Sequence, residues 1–111
     1  MKFEILSEEN GVTNVFLAGS MDIKGALEVD SWFKELSQTR DKVIIDLADV
    51  TFLASLGMRT FVTTAKTLSA KGGRLVLLQP KSEVEKVLKS AGLDTIIPIA
   101  SNSAAALALL R

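Results

Sequence analysis

Apolar and polar positions alternate from Lys2 to Ser7, with Phe3 and Ile5 on one side, the period of a half-buried strand. Glu8-Glu9-Asn10-Gly11 reads as a turn, because Asn-Gly readily takes positive φ. A second strand follows from Val12 to Ala18, apolar on both faces at Val15-Phe16-Leu17 and so central in a sheet. Gly19-Ser20-Met21-Asp22 breaks it. The period then changes: Ala26, Val29, Trp32, Phe33 and Leu36 lie on one face of a helix from about Lys24 to Gln38. Lys42 to Leu47 is a nearly continuous apolar strand. A short connection carrying Asp49, Val50 and Phe52 leads to Ala54-Ser55-Leu56-Gly57, and the next helical stripe is Met58, Phe61, Val62, Ala65 and Leu68. Gly72-Gly73 stops that helix, and Arg74 to Leu78 is another buried strand. Pro80-Lys81-Ser82 opens a third helix with Ser82 and Glu85 at capping-box spacing, a stripe of Val84, Val87, Leu88 and Ala91, and Gly92 as its C′ residue. Thr95 to Ile99 reads as a short strand, placed at an edge by Pro98, and Ser103 to Leu110 as a last helix.

The order ββαβαβαβα predicts an α/β fold: a mixed, mostly parallel sheet of about five strands with four helices. Repeated strand–helix–strand units make parallel neighbours with right-handed crossovers, and the first strand adds antiparallel. With 111 residues and no linker or repeat, residues 1–111 are expected to form a single domain. In such sheets function gathers at the carboxyl ends of the strands, where Asp22 and Ser55 both fall.

Charge removes several function classes. Thirteen basic and thirteen acidic residues cancel, and they are scattered. No electrostatic footprint for nucleic acid or an anionic membrane results. The segment Met1 to Gly11 lacks the apolar core of a signal peptide, and the longest apolar run, Ala104 to Leu110, is far too short to span a bilayer. A cytoplasmic protein is expected.

The chemistry is sparse too. The chain has no Cys, His or Tyr, hence no thiolate, no disulfide, no Cys or His metal ligand and no imidazole base. Ser55 is not in a nucleophile elbow, since Leu53 stands where G-x-S-x-G needs glycine, and a Ser-His-Asp triad is impossible. No Walker or G-x-G-x-x-G sequence occurs. No catalytic residues and no metal ligands are therefore assigned. Asp22, Asp46 and Asp49 could gather at one sheet end as a divalent-metal or phospho-acceptor site, or each could satisfy loop and helix-start N–H groups. A response-regulator receiver would need paired acids after the first parallel strand and a lysine near the last. Gly19-Ser20-Met21-Asp22 supplies one acid, and Thr95 to Ile99 has no lysine. Ser55 sits where loop becomes helix and suits an N-cap, with a functional, solvent-facing role beside that structural one. Leu53, Leu56 and Met58 around it are either a docking surface or core.

The run Asp46-Leu47-Ala48-Asp49-Val50-Thr51-Phe52-Leu53-Ala54-Ser55-Leu56-Gly57-Met58 resembles the signature of the STAS domain, and Gly19-Ser20-Met21-Asp22 is similar to that family's Gly-x-Leu-Asp stretch. The resemblance covers essentially the whole chain. The family includes bacterial anti-sigma-factor antagonists and cytoplasmic domains of sulphate transporters. It implies a binding switch without catalysis: a partner that is both anti-sigma factor and serine kinase binds the unmodified antagonist and frees a sigma factor. Phosphorylation ends that binding, and a separate serine phosphatase resets it. The resemblance puts Ser55 at the phospho-acceptor position and Asp22, Ala54, Ser55, Leu56, Gly57, Met58 and Arg59 on the partner surface, with Gly57 bare so that another backbone can approach. It implies no cofactor on this chain, ATP and Mg²⁺ belonging to the partner kinase. Where the family usually reads Asp-Ser-Ser/Thr-Gly, this chain has Ala54-Ser55-Leu56-Gly57. A STAS scaffold or transport-complex subunit without phosphorylation, and a small-ligand or nucleotide-binding module, are the alternatives.

Overall fold

The computed structural model describes residues 1–111. The elements in chain order are β1 (Lys2–Glu9), β2 (Val12–Met21), α1 (Ile23–Thr39), β3 (Lys42–Leu53), α2 (Ser55–Ala70), β4 (Arg74–Leu78), α3 (Ser82–Ser90), a 3-10 turn (Leu93–Thr95), β5 (Ile99–Ala100) and α4 (Ser103–Leu109). The five strands form one sheet in the order β1-β2-β3-β4-β5. β1 runs antiparallel to β2 and every other neighbouring pair is parallel. The predicted α/β class and element order are those observed.

Alternation along the strands divides the molecule into two layers. Val43, Ile45 and Leu47 of β3 face a core of 20 buried residues shared with α1, α2 and α3, including Phe33, Phe61 and Leu88. Ile44 faces the other way, into a smaller cluster of 7 buried residues closed by Ala106 and Leu110. Three helices thus cover one face and α4 covers part of the other. The hairpin turns on two residues, Asn10 (φ 54°) and Gly11 (φ 77°), both in the positive-φ region that such a turn demands.

Five expectations are corrected. β2 does not break at Gly19 but runs to Met21, and the connection carrying Asp49, Val50 and Phe52 is strand, the second half of β3. The pairing explains why. β3 slips by one residue against β2 between Phe16/Ala18 and again between Gly19/Ser20, so Ala18 pairs with Asp49 and Met21 with Leu53. Each bulge shifts the inward–outward alternation by one, and a strand with two slips reads as a loop. Second, Ser55 is not the N-cap of α2. That position is Ala54, extended at φ −92° and ψ 169°, and no side chain caps the helix. Third, Ser82 does not form a capping box, for Lys81 is the N-cap of α3 and makes no side-chain cap bond. Fourth, Thr95 to Ile99 is not one strand: the 3-10 turn takes its start, and β5 is reduced to Ile99–Ala100 at the sheet edge. Trp32 also leaves the buried stripe of α1. It is exposed and its ring lies 5.4 Å from that of Phe3 on the edge strand.

Candidate functional site

Met21 and Leu53 are register partners at the carboxyl ends of β2 and β3, so α1 and α2 begin side by side. The Ala54 N–H donates to the Met21 carbonyl at 2.9 Å and ties the two starts together. Asp22 caps α1, its Oδ1 accepting from the Gly25 N–H at 2.7 Å. Gly25 is buried, and a methyl there would run into the Ser20 carbonyl oxygen. Only glycine lets α1 start this close to the strand it leaves.

α2 starts differently. Ser55 is its first residue and is exposed. The first helical bond goes from the Met58 N–H to the Ala54 carbonyl at 3.1 Å, and no side chain accepts from the turn's free N–H groups. Gly57 is buried from within: a Cβ there would stand 2.8 Å from Leu53 Cδ1 and from Met21 Cγ. The backbone approach expected at Gly57 from outside is taken up by the chain's own strand ends. Leu53 is buried, and Leu56 and Met58 are half-buried against the main core.

The surface expected from Asp22 to Arg59 therefore divides. Asp22, Ser55 and Arg59 are exposed, Ala54, Leu56 and Met58 are half-buried, and Gly57 is enclosed. Arg59 lies one turn beyond Ser55 and belongs to none of the chain's ion pairs. The three aspartates are not brought together. Asp46 Oδ1 accepts from the Ala48 N–H at 2.9 Å and from Gln79 Nε2 at 3.3 Å, while Asp49 is exposed. No group of three or more acids forms a metal-binding cluster. Asp22 and Asp46 do what the alternative reading expected of them, satisfying N–H groups of the local backbone.

Two neighbours of this site escaped the sequence reading. Ile23 and Leu27, in the first two turns of α1, are 66% and 64% exposed. The signal was present: they stand four residues apart, off the stripe of Ala26, Val29, Phe33 and Leu36, on the face that ought to be polar.

The sequence profile of the STAS domain matches residues 5–106. The chain belongs to the STAS domain family. BtrV of Bordetella bronchiseptica, a candidate anti-sigma factor antagonist, is 30% identical to this STAS chain over 101 residues, 91% of this chain and 81% of that one. The crystal structure of a candidate anti-sigma factor antagonist of Thermotoga maritima superposes with a TM-score of 0.86 at 25% identity, over 99% of this chain and 93% of that one. The Bacillus protein SpoIIAA in its phosphorylated form shares the fold, with a TM-score of 0.70 at 20% identity over 99% of this chain and 98% of that one. STAS domains of this antagonist kind are regulatory binding proteins, and this one is a binder and not an enzyme. No helix is long and apolar enough to cross a membrane.

Proposed function

We propose that this STAS domain is a cytoplasmic anti-sigma-factor antagonist whose partner is an anti-sigma factor with serine kinase activity. Binding through the surface around Ser55 and Asp22 frees the sigma factor, phosphorylation of Ser55 ends the binding, and a serine phosphatase restores it. ATP and Mg²⁺ sit on the kinase, and this chain carries no cofactor. The observation that supports this most is that Ser55, the first residue of a helix with no side-chain cap, is exposed.

The physical case rests on an asymmetry. A phosphoryl group adds about −1.5 to −2 charges and three acceptor oxygens. At the start of α2 it meets free N–H groups and the positive end of the helix dipole, so the fold tolerates it. In this chain Ala54 takes the place of the family's acid, which removes both a competing cap and a negative neighbour. Against a desolvated partner surface the same charge is costly. Modification weakens association and spares the domain.

Replacing Ser55 by Asp tests the switch. Binding to the purified kinase is expected to fall at least about tenfold, a loss of roughly 1.4 kcal/mol, while the thermal midpoint of the free domain stays put. Unchanged binding, or phosphate found by mass spectrometry on a residue other than Ser55, would sink it. The exchange of the usual acid and second hydroxyl for Ala54 and Leu56 supports a second reading, a STAS scaffold or transport-complex subunit that binds without phosphorylation. Under that reading Ser55→Asp binds like the parent.

A further inference from the structure

Between α1 and α2 runs a groove of about 460 Å³ whose walls include Leu27, Asp30 and Lys34 from α1 and Leu56, Arg59 and Thr63 from α2. It opens beside Ser55, since Leu56 is the next residue. Leu27 is 64% exposed on one bank, and Ile23, one turn earlier on the same helix, is 66% exposed. Two large apolar side chains so bare, four residues apart and next to a half-buried leucine, are more than the scattered apolar exposure every surface shows.

The charges in the groove are uncommitted. The chain's ion pairs are Met1–Glu28, Arg40–Glu8, Lys71–Asp41 and Lys89–Glu85, so Lys34, Arg59 and Asp30 are in none of them. Along α2 the hydroxyls of Thr60, Thr64 and Thr67 donate to the carbonyls of Leu56, Thr60 and Thr63. Those three donor protons are spent inside the helix, and the charged groups lining the groove are two cations against one carboxylate.

We infer that this groove is part of the partner-docking surface and receives an apolar side chain of the partner between Leu27 and Leu56, flanked by a partner carboxylate that pairs with Arg59 and Lys34. The inference rests on the reading of the Ser55 surface as the place where the anti-sigma factor binds, and it extends that surface onto α1. The apolar contact supplies affinity once water is excluded, and the excess cation selects an acidic neighbour and orients it. A neutral chain with no general basic patch confines its electrostatic attraction to a local arrangement of this sort.

The test is calorimetric titration of the purified kinase with Leu27→Asp, Arg59→Glu, Ser55→Asp and, as a control on the opposite face, Leu107→Asp. Leu107 is 44% exposed on α4. Leu27→Asp and Arg59→Glu are expected to weaken binding by roughly tenfold to a hundredfold. Leu107→Asp should bind like the parent, and all four should melt like it. Arg59→Gln should also flatten the dependence of Kd on salt, which loss of packing alone leaves unchanged. If Leu27→Asp and Arg59→Glu bind like the parent while Ser55→Asp does not, the groove is overturned and the Ser55 surface stands. If Leu107→Asp is weakened as much as Leu27→Asp, the groove is overturned again. If Ser55→Asp and Leu107→Asp both bind like the parent while Leu27→Asp and Arg59→Glu do not, the phosphorylation switch fails and the groove survives. A parent chain that the kinase does not bind overturns both.

Discussion

α1 and α2 leave neighbouring strands at paired residues, yet their first turns are built in opposite ways. Asp22 closes the start of α1 with a 2.7 Å bond to the Gly25 N–H, and the Ser20 carbonyl oxygen fills the space above Gly25. Backbone packs on backbone there, and the polar groups are spent. α2 starts at Ala54 with no side-chain cap, and Gly57 is filled by the side chains of Leu53 and Met21. Its first-turn N–H groups take no side-chain cap, and Ser55 is exposed. One start is consumed by the fold, and the other is seated by the fold and left chemically open. That difference is the physical basis for proposing Ser55 as the place where a new charge would be tolerated.

The sharpest way to break the comparison is a methyl group at each glycine. Gly25→Ala pushes a methyl against a carbonyl oxygen that cannot rotate away, so a loss of about 3 kcal/mol is expected. Gly57→Ala meets two side chains that can shift, and alanine recovers helix propensity, leaving a loss of about 1 kcal/mol. Urea unfolding of both proteins measures the pair, and a smaller loss at Gly25 than at Gly57 would contradict the distinction between rigid and yielding neighbours.

Exchanging the caps comes next. Asp22→Ala should cost about 1 kcal/mol and Ala54→Asp should gain up to about 1 kcal/mol. The opposite signs are the point: if Ala54→Asp fails to stabilise, the start of α2 is already satisfied. By supplying a cap and a negative neighbour, Ala54→Asp should also slow phosphate transfer to Ser55 in a kinase assay relative to the parent.

The smallest effect concerns the other end of α1. There Arg40 is the C-cap and its Nε donates to Glu8 Oε1 at 2.6 Å, joining the helix end to β1. The hydrogen bond from Arg40 holds the Glu8 carboxyl below its ordinary value of 4.5, with the Arg40 charge adding to it. A carboxyl with a depressed folded-state pKa stabilises above the unfolded value, and that stability is lost as pH falls through the folded one. Thermal melts of Glu8→Gln and the parent should therefore differ slightly at neutral pH and converge well below pH 4.5. A gap that widened on acidification would refute the pairing. Because the pair is exposed, the gap should also shrink in high salt.

Much of this architecture is legible in the residue pattern. The Asn10-Gly11 hairpin, the stripe of α2, the bounds of β4 and the terminator Gly92, which sits at φ 77°, all follow from local rules. The second half of β3 was not, because its two bulges exist only in register with β2. The cap of α2 was missed by one residue for the same reason. Ala54 is held extended by the Met21 carbonyl, a contact between residues far apart in sequence, and no propensity at Ser55 competes with it. Ile23 and Leu27 stand in the sequence as apolar residues off the buried stripe, and what places Leu27 on the bank of a groove is the packing of α1 beside α2.

By itself the sequence determined the order of elements, the sheet's parallel character, the absence of thiol and imidazole chemistry, and a serine at the mouth of the second helix. Those depend on periodicity and composition, which are local. Tertiary structure alone decided that Ala54 and not Ser55 is the cap, that Gly57 is closed from inside while Ser55 stays open, and that two helices enclose a charged groove beside it. Each of these is set by which distant backbone or side chain occupies the space next to a residue, and no window of sequence contains that neighbour.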